Sequence, residues 1–292
     1  MNNSANLVMG HPGSTSKAPG HWVLARLGKK VLRPGGLELT RRMLHALEIG
    51  RDDDVVEFAP GLGGTAKMTL QRSPRSYMAV ERDEKAAHAV RRLLTGPNER
   101  CIVGRAEESG LPDACASAVY GEAMLTMQSA TGKDRIVGEA GRLLVEGGRY
   151  GIHEVAFRPE SISQDMIQRI SQELSDAIHH AVMPLTVGGW RALFESHGLH
   201  VTAEHVAPMH LLEPRRLLAD EGIAGALRFA WNLARDKSSR HRVKQMRRVF
   251  RKYHEHLLAV AIVSRSGGPT ARAGAGDRDA ASDFVGASSM DT

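Results

Sequence analysis

The run Asp54-Val55-Val56-Glu57-Phe58-Ala59-Pro60-Gly61-Leu62-Gly63-Gly64 decides how the rest of the chain is read. Its first half is a short β-branched stretch of the kind that forms a buried strand. Its second half changes abruptly to proline and glycine, a turn composition, and helical periodicity follows from about Gly64 to Arg72. A strand that runs through a small-residue turn into a helix lets the backbone approach a ligand closely. The helix start then offers unpaired N–H groups to a carboxylate or phosphate. Twenty residues after Gly61, Glu81 closes a second β-branched run, residues 77–80, where a carboxylate can accept hydrogen bonds from both hydroxyls of a ribose. The two features together mark a nucleoside-containing ligand at one edge of a sheet.

Two nucleoside ligands compete. Gly61-Leu62-Gly63-Gly64-Thr65-Ala66 satisfies the G-x-G-x-x-[GA] pattern of dinucleotide binding, which keeps an NAD(P)-dependent oxidoreductase as the alternative. Glu57 separates the readings. A carboxylate four residues before Gly61 repels a pyrophosphate and attracts a ligand carrying an ammonium and a sulfonium, a description that fits S-adenosylmethionine.

Over residues 38–157 the chain resembles the class I S-adenosylmethionine-dependent methyltransferases. Glu57-Phe58-Ala59-Pro60-Gly61-Leu62-Gly63 is similar to the family's E/D-x-G-x-G-x-G loop, with Ala59 where the first glycine is usual, and Glu81 matches the acidic residue used on the ribose. Gly104-Arg105-Ala106-Glu107-Glu108, then Leu111-Pro112-Asp113 and Ala118-Val119-Tyr120, resemble the adenine-binding loop and its following strand. Leu143-Leu144-Val145-Glu146-Gly147-Gly148-Arg149-Tyr150 resembles the turn into the fifth strand. Arg105 stands where many relatives have an aspartate for the adenine amino group, and Ala116-Ser117 replaces a phenylalanine-aspartate pair. The resemblance implies cofactor contacts at Glu57, Ala59, Gly61, Gly63, Glu81, Arg82, Ala106, Glu107 and Gly121. It also implies a methyl acceptor beyond the fourth and fifth strands, where Glu122 and His153 are the catalytic candidates and Met124 and Met127 the apolar lining. His153 fits a general base because imidazole titrates near neutrality, or else is a strand histidine tied to structure; Glu154 falls on the opposite strand face and can cap a loop.

Outward from this centre, β-branched runs alternate with helical stretches. Strands are expected at residues 54–58, 77–80, 101–103, 116–120 and 149–155, with helices after the first two and before the last. Such alternation predicts an α/β, Rossmann-like doubly wound sheet of seven strands, mostly parallel. Strands at 199–207 and 257–264, the last with no helix after it, predict an antiparallel C-terminal edge strand. Residues 1–20 and 266–292 lack apolar periodicity and are expected to be disordered, leaving a methyltransferase domain at 21–265 with a helical insertion at about 161–235.

Composition removes several classes. The longest apolar run, residues 257–263, is seven residues, against the roughly 20 a membrane span needs, so no integral membrane association and a cytoplasmic location are expected. Two cysteines, Cys101 and Cys115, are too few for a disulfide framework or a cysteine zinc site, and the His179-His180 and His254-Glu255-His256 clusters lack a third ligand, so no metal is expected. The formal net charge of +6 is concentrated: residues 228–252 carry ten Lys/Arg against one acid. Within a helix expected at 238–254, Arg240, Lys244, Arg247 and Arg251 share one face and Val243, Met246, Phe250 and Tyr253 the other. A solvated face accounts for this basic helix; a nucleic-acid or anionic-substrate ridge, contact with acidic lipid, or a non-catalytic RNA- or protein-binding module are the further alternatives. Gly121-Glu122-Ala123-Met124 is no base-methylating N/D-P-P-[YFW] tetrad, and aromatic residues are 4% of the chain, so a small-molecule acceptor is preferred.

Overall fold

In a computed structural model, which describes residues 20–29, 33–209 and 212–267, the quoted run is strand β1 (Asp54–Phe58) entering helix α3 (Gly64–Leu70). Two helices precede it, α1 (Gly20–Arg26) and α2 (Gly36–Ala46). After it come β2 (Ser76–Glu81), α4 (Glu84–Arg91), β3 (Glu99–Val103), β4 (Ala116–Glu122), a 3-10 turn (Leu125–Met127), α5 (Ala130–Leu143) and β5 (Leu144–Phe157). The chain continues through α6 (Gln164–Ile178), the two-residue β6 (Leu185–Thr186), α7 (Val187–Glu195), β7 (Leu199–Pro208), α8 (Pro214–Arg235), α9 (Lys237–Lys252) and β8 (Leu257–Ser266). Short polar side chains start several helices by accepting a backbone N–H: Asp83 for α4, Ser129 for α5, Ser163 for α6, Thr186 for α7 and Asp236 for α9. Each such cap contributes about 1 kcal/mol.

The strands form one sheet in the order β3-β2-β1-β4-β5-β8-β7, with β6 pairing β5 off that path. β1 to β5 are parallel neighbours, and β8 runs against both β5 and β7. The reversed strand therefore lies one place inside the edge expected for it. α8 and α9 follow β7 and return the chain at the end of the sheet where β7 finishes, so β8 enters from that end and runs antiparallel to β5 and β7. Burial sets the order. β8 is buried on both faces from Ala259 to Ser264, whereas β7 alternates exposed and half-buried residues, and only a strand of that second kind tolerates an edge.

Two apolar layers flank the sheet and a third caps it. Val56, Phe58, Val119 and Ile152 pack with Ile136 and Leu143 of α5 and Trp190 and Phe194 of α7. On the other face Val55, Tyr77 and Tyr120 meet Leu39, Met43 and Leu44 of α2 and Val90 of α4. The third cluster joins Val23, Leu24 and Leu27 of the N-terminal segment to Ile170 and Leu174 of α6, Phe229 of α8, and Val243, Met246 and Phe250 of α9. This helical cap packs on Val155 and Phe157 at the carboxyl end of β5 and on Leu257 at the start of β8, at the end of the sheet where parallel sheets bind ligands. Residues 161–235, expected as a helical insertion, hold α6, β6, α7, the expected strand as β7, and α8. The expected disorder of the termini concerns residues 1–19 and 268–292, outside the described residues; Gly20 opens α1, and Ser266 still pairs with Leu199.

Candidate cofactor site

A cavity of about 530 Å³ opens at the carboxyl ends of β1, β2 and β4. Its floor is the turn after β1. Gly61 has φ +55° and nothing within 4 Å of where a Cβ would stand, so its bare α-carbon faces open space. Gly63, at φ +74°, instead packs tightly on Leu93 and Val90 and lies outside the lining. Ala59 keeps the left-handed backbone of the glycine it replaces, at φ 51°, a conformation costly for any residue with a Cβ. The Glu81 carboxylate accepts from the Gly61 N–H at 3.0 Å and the Asp83 N–H at 2.9 Å, so the second strand pins the turn of the first.

Glu57 sits beneath the turn, buried. The parallel register places it beside Tyr120, and Tyr77 shares its face of the sheet. Both phenols donate to the same carboxylate oxygen, Tyr120 at 2.6 Å, and the Tyr120 hydroxyl also meets Thr69 Oγ1 at 2.7 Å. Burial pushes its pKa up to about 7 against those two donors.

Glu122, at the end of β4, is buried in a different environment. Arg33 Nε lies 3.2 Å from it, Thr40 Oγ1 donates at 2.6 Å, His153 Nδ1 lies 2.8 Å away, and Thr65 Oγ1 donates to its second oxygen. Burial opposes its charge, but the Arg33 guanidinium and the His153 contact prevail and bring its pKa to about 2. Two carboxylates at adjacent strand ends are thus driven in opposite directions by their partners.

Arg33 is the residue the sequence reading missed. It is buried, lines the cavity, and its Nη2 has no hydrogen-bond partner among the described residues. No periodic pattern marks it, because it lies in irregular chain before α2; it is one of seven Lys/Arg between Lys17 and Arg42.

His153 is fully buried and absent from the cavity lining. Its Nδ1 faces Glu122, and its Nε2 meets the carbonyl oxygen of Pro34. Both ring nitrogens therefore face acceptors, and neither has an open side toward a ligand. Gly121 also lies outside the lining: a Cβ there would meet Met124 and the Phe58 carbonyl, so its smallness serves strand packing. Glu154 accepts from the backbone N–H groups of Met124, Leu125 and Thr126 and from Thr126 Oγ1 at 2.6 Å, which makes it the anchor of the loop after β4.

The remaining expected residues converge. Ala59, Gly61, Glu57, Glu81, Arg82, Ala106, Glu107 and Glu122 all line the cavity, as do Met124 and Met127. Burial disfavours the Glu107 charge, yet its own backbone N–H and Arg105, whose Nε donates at 2.6 Å, hold its pKa below the usual range. Trp22 of α1 and His180, just past α6, close the opposite wall. Among the described residues, no group of three or more His, Cys, Asp or Glu is arranged to hold a metal, and no helix is long and apolar enough to cross a membrane.

No protein-family model matches the chain. An uncharacterised protein of Haemophilus influenzae is 32% identical over 250 residues, covering 84% of this chain and 97% of that one. Solved structures similar to it include a putative sarcosine dimethylglycine methyltransferase from Galdieria sulphuraria, with a TM-score of 0.61 and 15% identity, covering 80% of this chain and 86% of that one. Phosphoethanolamine N-methyltransferase 2 of Haemonchus contortus, in complex with S-adenosyl-L-methionine, has a TM-score of 0.64 and 12% identity, covering 85% of this chain and 56% of that one. The [4+2]-cyclase SpnF has a TM-score of 0.59 and 14% identity, covering 80% of this chain and 81% of that one. The chain belongs to the family of the Haemophilus influenzae protein, and its fold is that of the class I S-adenosylmethionine-dependent methyltransferases.

Proposed function

We propose that the cavity binds S-adenosylmethionine and that the chain transfers its methyl group to a small-molecule acceptor. One observation carries this reading: the turn is bordered by two carboxylates and one incompletely paired guanidinium. Glu57 and Glu122 supply negative potential for a sulfonium and an ammonium, while the Arg33 guanidinium, which lines the cavity and whose Nη2 has no hydrogen-bond partner among the described residues, is suited to the carboxylate of an amino acid. A pyrophosphate would meet both acids, which disfavours the nicotinamide reading. Glu81 would then take the ribose hydroxyls and Ala106 with Glu107 the adenine.

When bound, the cofactor supplies an electrophilic methyl. The chain's contribution is position and exclusion of water: Met124 and Met127 offer an apolar wall to the acceptor, and Glu154 fixes the loop that carries them. His153 acts as a positioning residue, holding the Glu122 carboxylate against Arg33 rather than taking a proton from the acceptor. Similarity to a cyclase leaves cofactor binding without methyl transfer as the second reading, since fold alone does not set chemistry.

Isothermal titration with S-adenosylmethionine, S-adenosylhomocysteine and NAD separates these readings. The two sulfur ligands are expected to bind and NAD not. Glu81→Ala should weaken S-adenosylmethionine by roughly 1.5–3 kcal/mol, the range for a lost hydrogen bond to a charged group. Binding of NAD alone would reverse the assignment, and turnover with labelled methyl donor distinguishes transfer from binding only.

A further inference from the structure

A helix of a water-soluble domain normally turns its apolar side inward. The second half of α8 does not. Gly222, with φ 71° and ψ 176°, breaks that helix, and residues 223–235 beyond the break contain no acidic residue. Gly225 and Phe229 are the buried positions of the helix. On the opposite side Ile223, Leu227 and Trp231 are 72%, 66% and 62% exposed. Successive steps of four residues keep these three side chains on one face. Large apolar side chains in a row on the outer face of a helix mark a surface made for a partner.

The rim of this face is cationic. The Arg235 guanidinium lies 5.0 Å from the centre of the Trp231 ring, and Arg240 Nη1 donates to the Ala234 carbonyl at 2.7 Å, which carries the basic face of α9 up to the apolar row. α9 adds exposed Lys237, Lys244 and Arg248. The acid between the two helices, Asp236, is engaged: it caps Ser239 at 3.0 Å and lies 3.6 Å from Arg26. A second copy of the chain docked here by a twofold axis would set this cationic rim against itself. RNA would use the cations and leave Ile223 and Leu227 in water. An anionic bilayer satisfies both halves, because the apolar row enters the headgroup boundary while arginine and lysine meet lipid phosphates, with Trp231 at the interface.

We propose that the outer face of α8, with the adjoining basic residues of α9, docks the protein on an anionic lipid bilayer surface. The helix that carries this face is tied to the N-terminal segment, since Asn232 Nδ2 donates to the Leu27 carbonyl at 3.1 Å, and that segment also places Trp22 in the cavity lining. The proposal stands whether or not the cavity binds S-adenosylmethionine.

Vesicle sedimentation of the full chain tests it. Wild type is expected to partition onto phosphatidylglycerol-containing vesicles at low salt and at least about tenfold less onto pure phosphatidylcholine. The triple variant Ile223→Ser, Leu227→Ser, Trp231→Ser should lose at least about tenfold in partitioning, as should Arg235→Gln, Arg240→Gln, Lys244→Gln. Circular dichroism of both variants should be that of the wild type, since all six side chains are exposed. Absence of binding to anionic vesicles, binding that survives the apolar triple variant, or a solution dimer that the apolar triple variant dissociates would each overturn the proposal. The last outcome would name a second copy as the occupant.

Discussion

Glu57 lies where the proposed cationic ligand would sit, and its pKa is pushed up to about 7 by burial, so the proposed site should sense pH. Its pKa is raised above the ordinary value of 4.5, so the folded chain holds a proton that the unfolded chain releases between pH 4.5 and about 7. Its contribution to stability is therefore full below 4.5 and is lost as pH rises through about 7. Glu57→Gln should remove that loss, and the difference in melting temperature between variant and wild type should grow from pH 4.5 to 7 and then level off. A difference independent of pH would contradict the burial described for this carboxyl. If the proposed cofactor binds above it, its cation should favour the charged form, so S-adenosylmethionine affinity should fall by up to about tenfold per pH unit below 7. Titrations in buffers of different ionisation enthalpy should show proton release in that range. Ala59 offers a second test. Its left-handed φ of 51° stores about 1 kcal/mol, partly offset in a glycine variant by the freer unfolded chain. Ala59→Gly should thus leave stability unchanged or raise it by up to about 1 kcal/mol in denaturant melts, and a loss larger than that would show that the methyl group packs productively.

The loop after β4 shows how one side chain fixes an element. Residues 125–127 form a single 3-10 turn, too short to be stable by itself, and Glu154 of the neighbouring strand collects three successive backbone N–H groups there together with the Thr126 hydroxyl. Burial raises the Glu154 pKa even against four donors. Glu154→Ala would leave those donors buried and unpaired, at roughly 3–5 kcal/mol, and should lower the melting temperature markedly. Glu154→Gln, which keeps an acceptor oxygen, should recover part of the loss. Equal stability of both variants and the wild type would show that the loop holds itself. The same logic explains His153. Parallel register places it in β5 opposite Glu122, the last residue of β4, but the face it occupies points under α2, where Pro34 and Glu122 take both ring nitrogens.

Over the whole molecule, the N-terminal segment is held on the sheet by charge as well as by apolar packing. Lys29, fully buried, lies 3.7 Å from Asp220 and 3.8 Å from Glu221, immediately before the break in α8. Burial lowers its pKa against the pull of both acids. Asp220 also accepts from the Leu37 N–H at 3.2 Å, so one carboxylate joins the start of α2 to α8. Lys29→Met would remove a buried cation from beside both carboxylates, although Asp220 keeps the Leu37 N–H and lies 3.7 Å from Arg216, a loss of roughly 1–3 kcal/mol. Its effect should concentrate in the cap: faster hydrogen exchange in α1 and α8, with β1 and β4 unchanged, and weaker cofactor binding because Trp22 lines the cavity. Uniformly faster exchange across the sheet would mean that cap and sheet unfold as one unit.

Local signals were enough for the strand-turn-helix unit, the carboxylates Glu57 and Glu81, the alternation that builds a parallel sheet, and the apolar face of α9. Each depends on residues near one another in the chain, where periodicity and turn chemistry act directly. Tertiary structure decided what depends on register and on which face meets which neighbour. Parallel pairing of β1 with β2 and β4 gave Glu57 its two tyrosine donors, from residues twenty and sixty-three positions away. The antiparallel direction of β8 followed from the end of the sheet at which α9 releases the chain, and its place between β5 and β7 from burial on both faces. Arg33, in irregular backbone before α2, reached the cavity only because Thr40 and Glu122 hold its guanidinium there, from separate elements. The outward apolar row of α8 likewise needed the fold, because a helix with apolar residues on both sides has no inside or outside until its neighbours are in place.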